Sequence, residues 1–378
     1  MPDFMQLNPP VHRASTVLFK DTDAFLARGS QLYDGFMYGL YGTPTTRELE
    51  TRIAAIEGGH RAIVVPSGLA AITHVILALC KPGDHIIITD SAYGGSRAFA
   101  TSALVRLGID VEYIPSDAGS VQAYLKPQTR LVLLESPGYY TMEIQDIAAI
   151  AAEAHAAGAL VLLDNSWGFG ASSMFEHGVD ICCTALSKYA AGAGDLCMGS
   201  ITVATEDMYR TLKAFVAGLG AGVSSDDAYL VMRGLLTLDT RLRDHAARAL
   251  GLSQWLSSHP AVKEVINPAR PGDRWHARFQ KYFRGGNGLF SVVLHDGSLD
   301  AIRRMLDGLE VFKIGASWGS PHSLLAAAYP HGERSVDRWP KDQYILRLHI
   351  GLEKVAALKC DLDRALSRAA GIAALRVR

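Results

Sequence analysis

The chain has 378 residues, 49% of them apolar and 20% charged, with a net charge of −1. That length exceeds one ordinary core, so two domains plus an extension are expected. The near-neutral balance gives no electrostatic case for nucleic acid or a membrane surface as partner, which leaves a small molecule as the expected ligand. Five cysteines (Cys80, Cys182, Cys183, Cys197, Cys360) without CxxC spacing support neither a disulfide framework nor a zinc site, so buried free thiols and no metal are expected. The opening Met-Pro-Asp-Phe-Met-Gln lacks a signal-peptide pattern and no apolar run reaches spanning length, pointing to the cytoplasm.

Residues 1–45 form an irregular arm with aromatics at Phe19, Phe25, Tyr33, Phe36 and Tyr38 but too few periodic apolar positions for a core of its own. A helix is predicted over Arg47–Glu57. Alternating strand and helix signals follow at Ala62–Pro66, Leu69–Leu79, His85–Thr89, Ser96–Leu107, Asp110–Ile114 and Val121–Leu125. They continue through Leu131–Glu135, Ile147–Gly158, Leu160–Asp164, Ile181–Leu186 and Gly199–Ala204. The alternation predicts an α/β domain over 46–238 with a mainly parallel sheet, whose ligand lies at the carboxyl edge of the strands. Asp226–Thr237 running into Arg241–His259 reads as one long amphipathic stretch bridging to a smaller α+β domain over 239–378. In that domain strands are expected at Val262–Ile266, Gly288–Leu294, Val311–Ile314 and Ile345–Ile350, and helices at Asp300–Gly308 and Leu352–Ala370. Pro268–Arg274 and Tyr329–Lys341 read as surface loops.

Three residues fall at the carboxyl edge. Lys188 follows the apolar run Ile181–Leu186 and Ser187, and Asp164 closes Leu160–Asp164, so an amine and an acid leave neighbouring strand ends. Ser67-Gly68-Leu69 joins a strand to a helix, where free N–H groups, the helix dipole and a hydroxyl favour a phosphate. Singly, each has a plainer reading as a solvated lysine, a turn aspartate or a serine N-cap. Together they suit pyridoxal phosphate, which needs a lysine to attach to, a carboxylate to keep its ring nitrogen protonated and a phosphate cup.

With Ser-Gly-Leu, Asp-Asn-Ser-Trp and Ser-Lys-Tyr in that order, the chain resembles the Cys/Met-metabolism family of pyridoxal-phosphate enzymes, and among them the cystathionine β-lyase branch. The likeness extends over nearly the whole length. It also rests on Tyr38-Gly-Leu-Tyr-Gly-Thr-Pro-Thr, Ser91-Ala-Tyr-Gly, Leu134-Glu-Ser-Pro-Gly, Ala228-Tyr-Leu-Val-Met-Arg-Gly-Leu, Ser317-Trp-Gly and Leu346-Arg-Leu-His-Ile-Gly-Leu-Glu. The resemblance implies a fold-type-I transferase fold with pyridoxal 5'-phosphate attached to Lys188, Asp164 on the ring nitrogen and Tyr93 stacked on the ring as a second proton carrier. Ser67, Gly68, Leu69 and Ser187 would cup the phosphate, and Arg347 with Ser317 and Trp318 would take the substrate carboxylate. Tyr38 would reach the site of a neighbouring subunit, making a homodimer the catalytic unit, with pairing of dimers into tetramers expected.

Three positions depart from the family pattern. Leu40 stands where an arginine usually binds phosphate, His322 where glutamate is common, and Tyr139 where many relatives carry asparagine. The activity implied is carbon–sulfur β-elimination on cystathionine or a related sulfur amino acid, giving a thiol, pyruvate and ammonia. γ-Elimination, γ-replacement and amino-acid racemisation remain open on the same scaffold because all begin at the Cα proton. A non-catalytic relative of the fold is the rival of another class. A nicotinamide dehydrogenase is disfavoured because no GxGxxG follows the first strand.

Overall fold

Segments of five to seven residues, most of them rich in Ile, Val and Leu, form strands largely buried on both faces, as a sheet flanked by helices requires. In the computed structural model, which describes residues 7–370, these runs build a seven-stranded sheet. Its strands are β1 (Arg61–Val65), β2 (His85–Thr89), β3 (Asp110–Ile114), β4 (Thr129–Glu135), β5 (Leu160–Asp164), β6 (Ile181–Ala185) and β7 (Gly199–Val203). The order is β1-β7-β6-β5-β4-β2-β3, and β7 alone runs against the others. Alternate side chains separate the two faces. Leu131, Leu133 and Leu162 pack with Ile72 and Val75 of the helix Gly68–Leu79, whereas Val132, Leu134, Val161 and Leu163 pack with Ile147 and Ile150 of the helix Ile147–Ala156.

A second sheet of β8 (Val262–Ile266), β9 (Leu289–Leu294), β10 (Lys313–Ile314), β11 (Leu324–Ala328) and β12 (Ile345–His349) has the order β10-β11-β12-β9-β8. The helices Leu238–Leu256 and Val355–Ala369 cover it, burying Leu252, Phe290, Leu348 and Leu362 together.

Several expectations are corrected. The long stretch after Ser225 is two helices, Ser225–Leu235 and Leu238–Leu256. Gly234 is what seats the first of them: a Cβ there would lie 2.2 Å from the Ala190 carbonyl oxygen. Val121–Leu125 contains only a short 3-10 turn at Gln122–Tyr124, and Val311–Ile314 shortens to β10. Strand β11 and the helices Glu206–Gly218 and His276–Tyr282 lie outside the expected elements, although Thr205 caps the first of these helices and Tyr209, Leu212 and Val216 give it a helical apolar face. The thiols divide: Cys182 and Cys183 are buried in β6, but Cys197 and Cys360 are exposed. The last eight residues of the expected 239–378 unit and the first six of the arm lie outside the described residues. Among the described residues no helix is long and apolar enough to cross a membrane.

The segment expected as a surface loop at Tyr329–Lys341 is pinned to the large domain, through Arg334 to Ser116 and most densely at Asp90. Asp90, one residue past β2 and 1% exposed, accepts the backbone N–H groups of Ser335, Val336 and Asp337 at 2.8, 2.9 and 2.8 Å, and pairs with Arg97 at 2.8 Å. One carboxylate thus joins the two sheet systems beside Tyr93. Asp90→Ala leaves three amides without their acceptor and the half-buried Arg97 without its carboxylate, so a loss of about 3–5 kcal/mol is expected. Urea unfolding of the two proteins measures it, and a difference below about 1 kcal/mol would show that water replaces the carboxylate at little cost.

Candidate active site

The ends of β1, β5 and β6 and one edge of the second sheet enclose a cavity with about 940 Å³ of empty space that opens to solvent. Ser67 and Gly68 follow β1, Asp164 ends β5, and Ser187 and Lys188 follow β6, as the sequence predicts. Ser67 caps the helix Gly68–Leu79, its Oγ accepting the Ala70 N–H at 3.0 Å. The Gly68 and Leu69 amides before it open the helix and have no intrahelical acceptor. Gly68 is required by contact: a Cβ there would lie 2.6 Å from the Ala185 Cβ at the end of β6. The Ser187 hydroxyl lines the cavity while accepting the Met198 N–H at 3.0 Å and donating to the Met198 carbonyl at 3.2 Å.

Lys188 and Arg347 are the cations of this cavity. Lys188 Nζ donates to Ser317 Oγ at 2.8 Å and lies 4.5 Å from the Trp318 ring centroid. Burial, aided by the charge of Arg347, pulls its amine down to about 8, so a substantial neutral fraction exists near neutral pH. Arg347 enters from β12 and is 2% exposed, with neither Nη making a hydrogen bond. Asp164 borders the same space. Desolvation raises its carboxyl above the ordinary range, against the Ser166 N–H it accepts at 3.0 Å. Tyr93 lines the cavity at the start of the helix Gly94–Phe99, its N–H donating to Glu135 Oε2 at 2.5 Å.

Not every expected residue lines this cavity. Tyr38 and Leu40, 43% and 39% exposed, do not border it within their own chain, and His322 is exposed and away from it. Ser317 reaches it only through Lys188 Nζ. Arg97, one turn beyond Tyr93, is committed to Asp90 and Ser335. Glu135, Tyr140, Met142 and Trp167 border the cavity without having been singled out from sequence. Glu135 carried a signal in Leu134-Glu-Ser-Pro-Gly, but its significance needs the register: its Cα pairs with that of Asp164 across β4 and β5. Burial and then the Asp164 charge push its carboxyl well above the usual range.

Comparison with known proteins agrees with this geometry. The family model described as Cys/Met metabolism PLP-dependent enzyme matches residues 2–367. The chain belongs to that family. It is 35% identical to a cystathionine β-lyase of Bordetella avium, over 96% of this chain and 93% of that one. It is also 35% identical to an L-alanine/L-glutamate racemase of Wolbachia pipientis wMel, again over 96% and 93% of the two chains. Among solved structures, that of MetB from Corynebacterium glutamicum superposes with a TM-score of 0.88 at 26% identity, covering 97% of this chain and 94% of that one. The architecture is therefore the fold-type-I one, and pyridoxal 5'-phosphate is the family's cofactor.

The residues present fit that cofactor. A partly neutral lysine, a carboxyl short of a cation, a helix opening made close by Gly68, and an aromatic residue at the rim share one cavity. Lys188→Ala is expected to remove covalent attachment of the cofactor and its yellow colour while far-UV circular dichroism stays unchanged. Because the folded amine is depressed, it is mostly protonated below about pH 8 and its reactive neutral fraction grows as pH rises through that value. Acylation of Lys188 in apoprotein, followed by mass spectrometry, should therefore show a midpoint near 8; one above 10 would mean that the amine is solvated.

Proposed function

We propose that the protein is a pyridoxal-phosphate-dependent carbon–sulfur β-lyase that cleaves cystathionine or a related sulfur amino acid to a thiol, pyruvate and ammonia. The observation that carries this reading is the placement of Lys188 and Arg347 in one desolvated cavity, neither paired to a carboxylate. When bound, the cofactor supplies an electron sink next to the substrate Cα. Arg347 holds the substrate carboxylate through its free Nη groups, fixing which Cα bond faces Lys188. The Lys188 amine takes the Cα proton. Its depressed basicity leaves it neutral enough to act as base, and the Ser317 hydroxyl 2.8 Å away orients it. Tyr93, at the open side of the cavity, is placed to give a proton to the departing sulfur. Asp164 would keep the cofactor's ring nitrogen protonated, and Ser67, Ser187 and the Gly68 and Leu69 amides would hold its phosphate.

The β-lyase reading is favoured over racemisation by Ser317-Trp318-Gly and Arg347-Leu-His-Ile-Gly-Leu-Glu, whose members Trp318 and Arg347 meet each other and Lys188 at one point. Incubating the holoprotein with cystathionine, cystine, O-acetylhomoserine and alanine, and identifying products, decides it. Pyruvate and a thiol from cystathionine are expected; racemised alanine with intact cystathionine would overturn the assignment. Arg347→Leu should lower kcat/KM by about 10²-fold or more through substrate capture while cofactor content is retained.

The catalytic unit is a homodimer in this reading, with Tyr38 of one subunit completing the site of the other. Support comes from Tyr38 lying outside its own cavity and from the arm's exposed apolar side chains, Leu18 at 91%, Leu26 at 69% and Phe25 at 48%. Leu40, packed over Gly222, brings no charge to the phosphate. Leu40→Arg should tighten the cofactor by up to about 1.5–3 kcal/mol in titrations of apoprotein, and an unchanged affinity would show that the phosphate has its full complement of partners.

A further inference from the structure

Arg347 presents a physical problem that the reading above does not solve. Its guanidinium is taken out of water, 2% exposed, and both Nη atoms lack a hydrogen-bond acceptor, so nothing of the usual kind fixes its direction before substrate arrives. What surrounds it is aromatic. The guanidinium carbon lies 4.6 Å from the Tyr140 ring centroid, 4.8 Å from Trp318 and 4.9 Å from Tyr139. Each ring attracts the cation through its quadrupole, and the attraction strengthens when water is absent.

The tyrosines are held there by an unusual backbone. Tyr140 has φ 68° and Met142 φ 58°, the left-handed region that bulky side chains rarely enter. Such a conformation persists only where its surroundings over-determine it, and they do so here. The Tyr139 N–H donates to the Ser91 carbonyl at 2.9 Å, Met142 N–H to Gly138 at 3.0 Å, and Gly138 N–H to Glu143 at 2.8 Å. Arg334 donates to the Tyr139 carbonyl at 3.4 Å and to the Thr141 hydroxyl. The remaining clamp is the informative one: the Ser291 hydroxyl donates to the Tyr140 carbonyl, and Ser291 is the β9 residue directly opposite Arg347 on β12. Arginine and tyrosine turn are therefore fixed to the same rung of the second sheet. A tyrosine that merely filled the core would need neither the strained φ nor this anchor.

We propose that Tyr139 and Tyr140 are positioning residues for Arg347, their rings replacing hydrogen bonds as the means of aiming its guanidinium at the substrate carboxylate. Tyr140 provides the nearer ring. Tyr139 extends the wall to the cofactor side, meeting the Tyr93 ring edge-on at 5.2 Å. The strain at residues 140 and 142 is then the consequence of bringing a turn from the large sheet against a cation on the small one. This inference rests on Arg347 as the carboxylate-binding residue.

Steady-state kinetics of the holoprotein test it, with cofactor content measured by absorbance and with propionate, a carboxylate without an amine, as competitive inhibitor. Tyr140→Leu is expected to raise KM and the propionate inhibition constant by about tenfold while kcat changes less than about threefold and cofactor content is kept. Tyr140→Phe retains the ring and should recover most of the loss. An unchanged KM in Tyr140→Leu, or a Phe variant as impaired as the Leu variant, overturns the proposal. Should Tyr140→Leu fail to fold, Ser291→Ala decides instead, since loss of the carbonyl anchor must raise both constants; unchanged values overturn the idea. Arg347→Leu separates the two layers. If it leaves kcat/KM unchanged, the carboxylate reading itself fails; if it lowers kcat/KM while the tyrosine and serine variants do not change KM, only the positioning role fails.

Discussion

Two cations stand in one cavity without a carboxylate paired to either, and the construction of the site follows from that constraint. An unpaired buried charge is costly unless something compensates for the lost water. For Lys188 the compensation is partial neutralisation: burial and the neighbouring Arg347 bring the amine down to about 8. A guanidinium has no such escape, because it does not lose its proton, and Arg347 is instead walled by three rings. The difference in chemistry between the two side chains gives one a proton-transfer character and the other a fixed charge.

The sheet supplies the same site with acids it cannot fully ionise. Glu135 and Asp164 are neighbours in the register of β4 and β5, and desolvation raises both carboxyls. Desolvation is the first cause in both, and the Asp164 charge adds to the upward push on Glu135. A cationic ring nitrogen would secure the negative charge on Asp164. Glu135 meanwhile accepts the Tyr93 N–H, tying the aromatic rim to the strand beside Asp164. Asp90 does a comparable task one strand over, binding the second sheet's long connection to the large sheet at the cavity's edge. The carboxylates at the ends of β2, β4 and β5 thus organise the closing segment, the rim and the Asp164 side of the cavity respectively.

The second sheet enters the site as a wall and an anchor. β12 brings Arg347, the segment between β10 and β11 brings Trp318 and Ser317, and β9 brings Ser291 to hold the tyrosine turn. Ser317 meets Lys188 across the gap. Neither sheet alone presents both Lys188 and Arg347, which makes the cavity a property of the junction.

The sequence by itself determined that the chain is an α/β protein with Ser67, Asp164 and Lys188 at one edge. The reason is local: apolar runs of five to seven residues alternating with helical periods leave few arrangements, and a parallel sheet places every strand's carboxyl end on the same side. The motifs around those residues added Tyr93 and Arg347. Only the tertiary structure decided what surrounds them. The Tyr140 carbonyl and Ser291 are separated by 151 residues, Asp90 and Val336 by 246, and Lys188 and Ser317 by 129. Contacts across such separations leave no periodic trace, and for the same reason β11, whose run Leu-Leu-Ala-Ala-Ala suits helix as well as strand, was not legible until β12 paired with it. Register likewise converted Glu135 from a motif letter into the partner of Asp164, because a pairing between strands is fixed by which faces are buried and not by either strand alone.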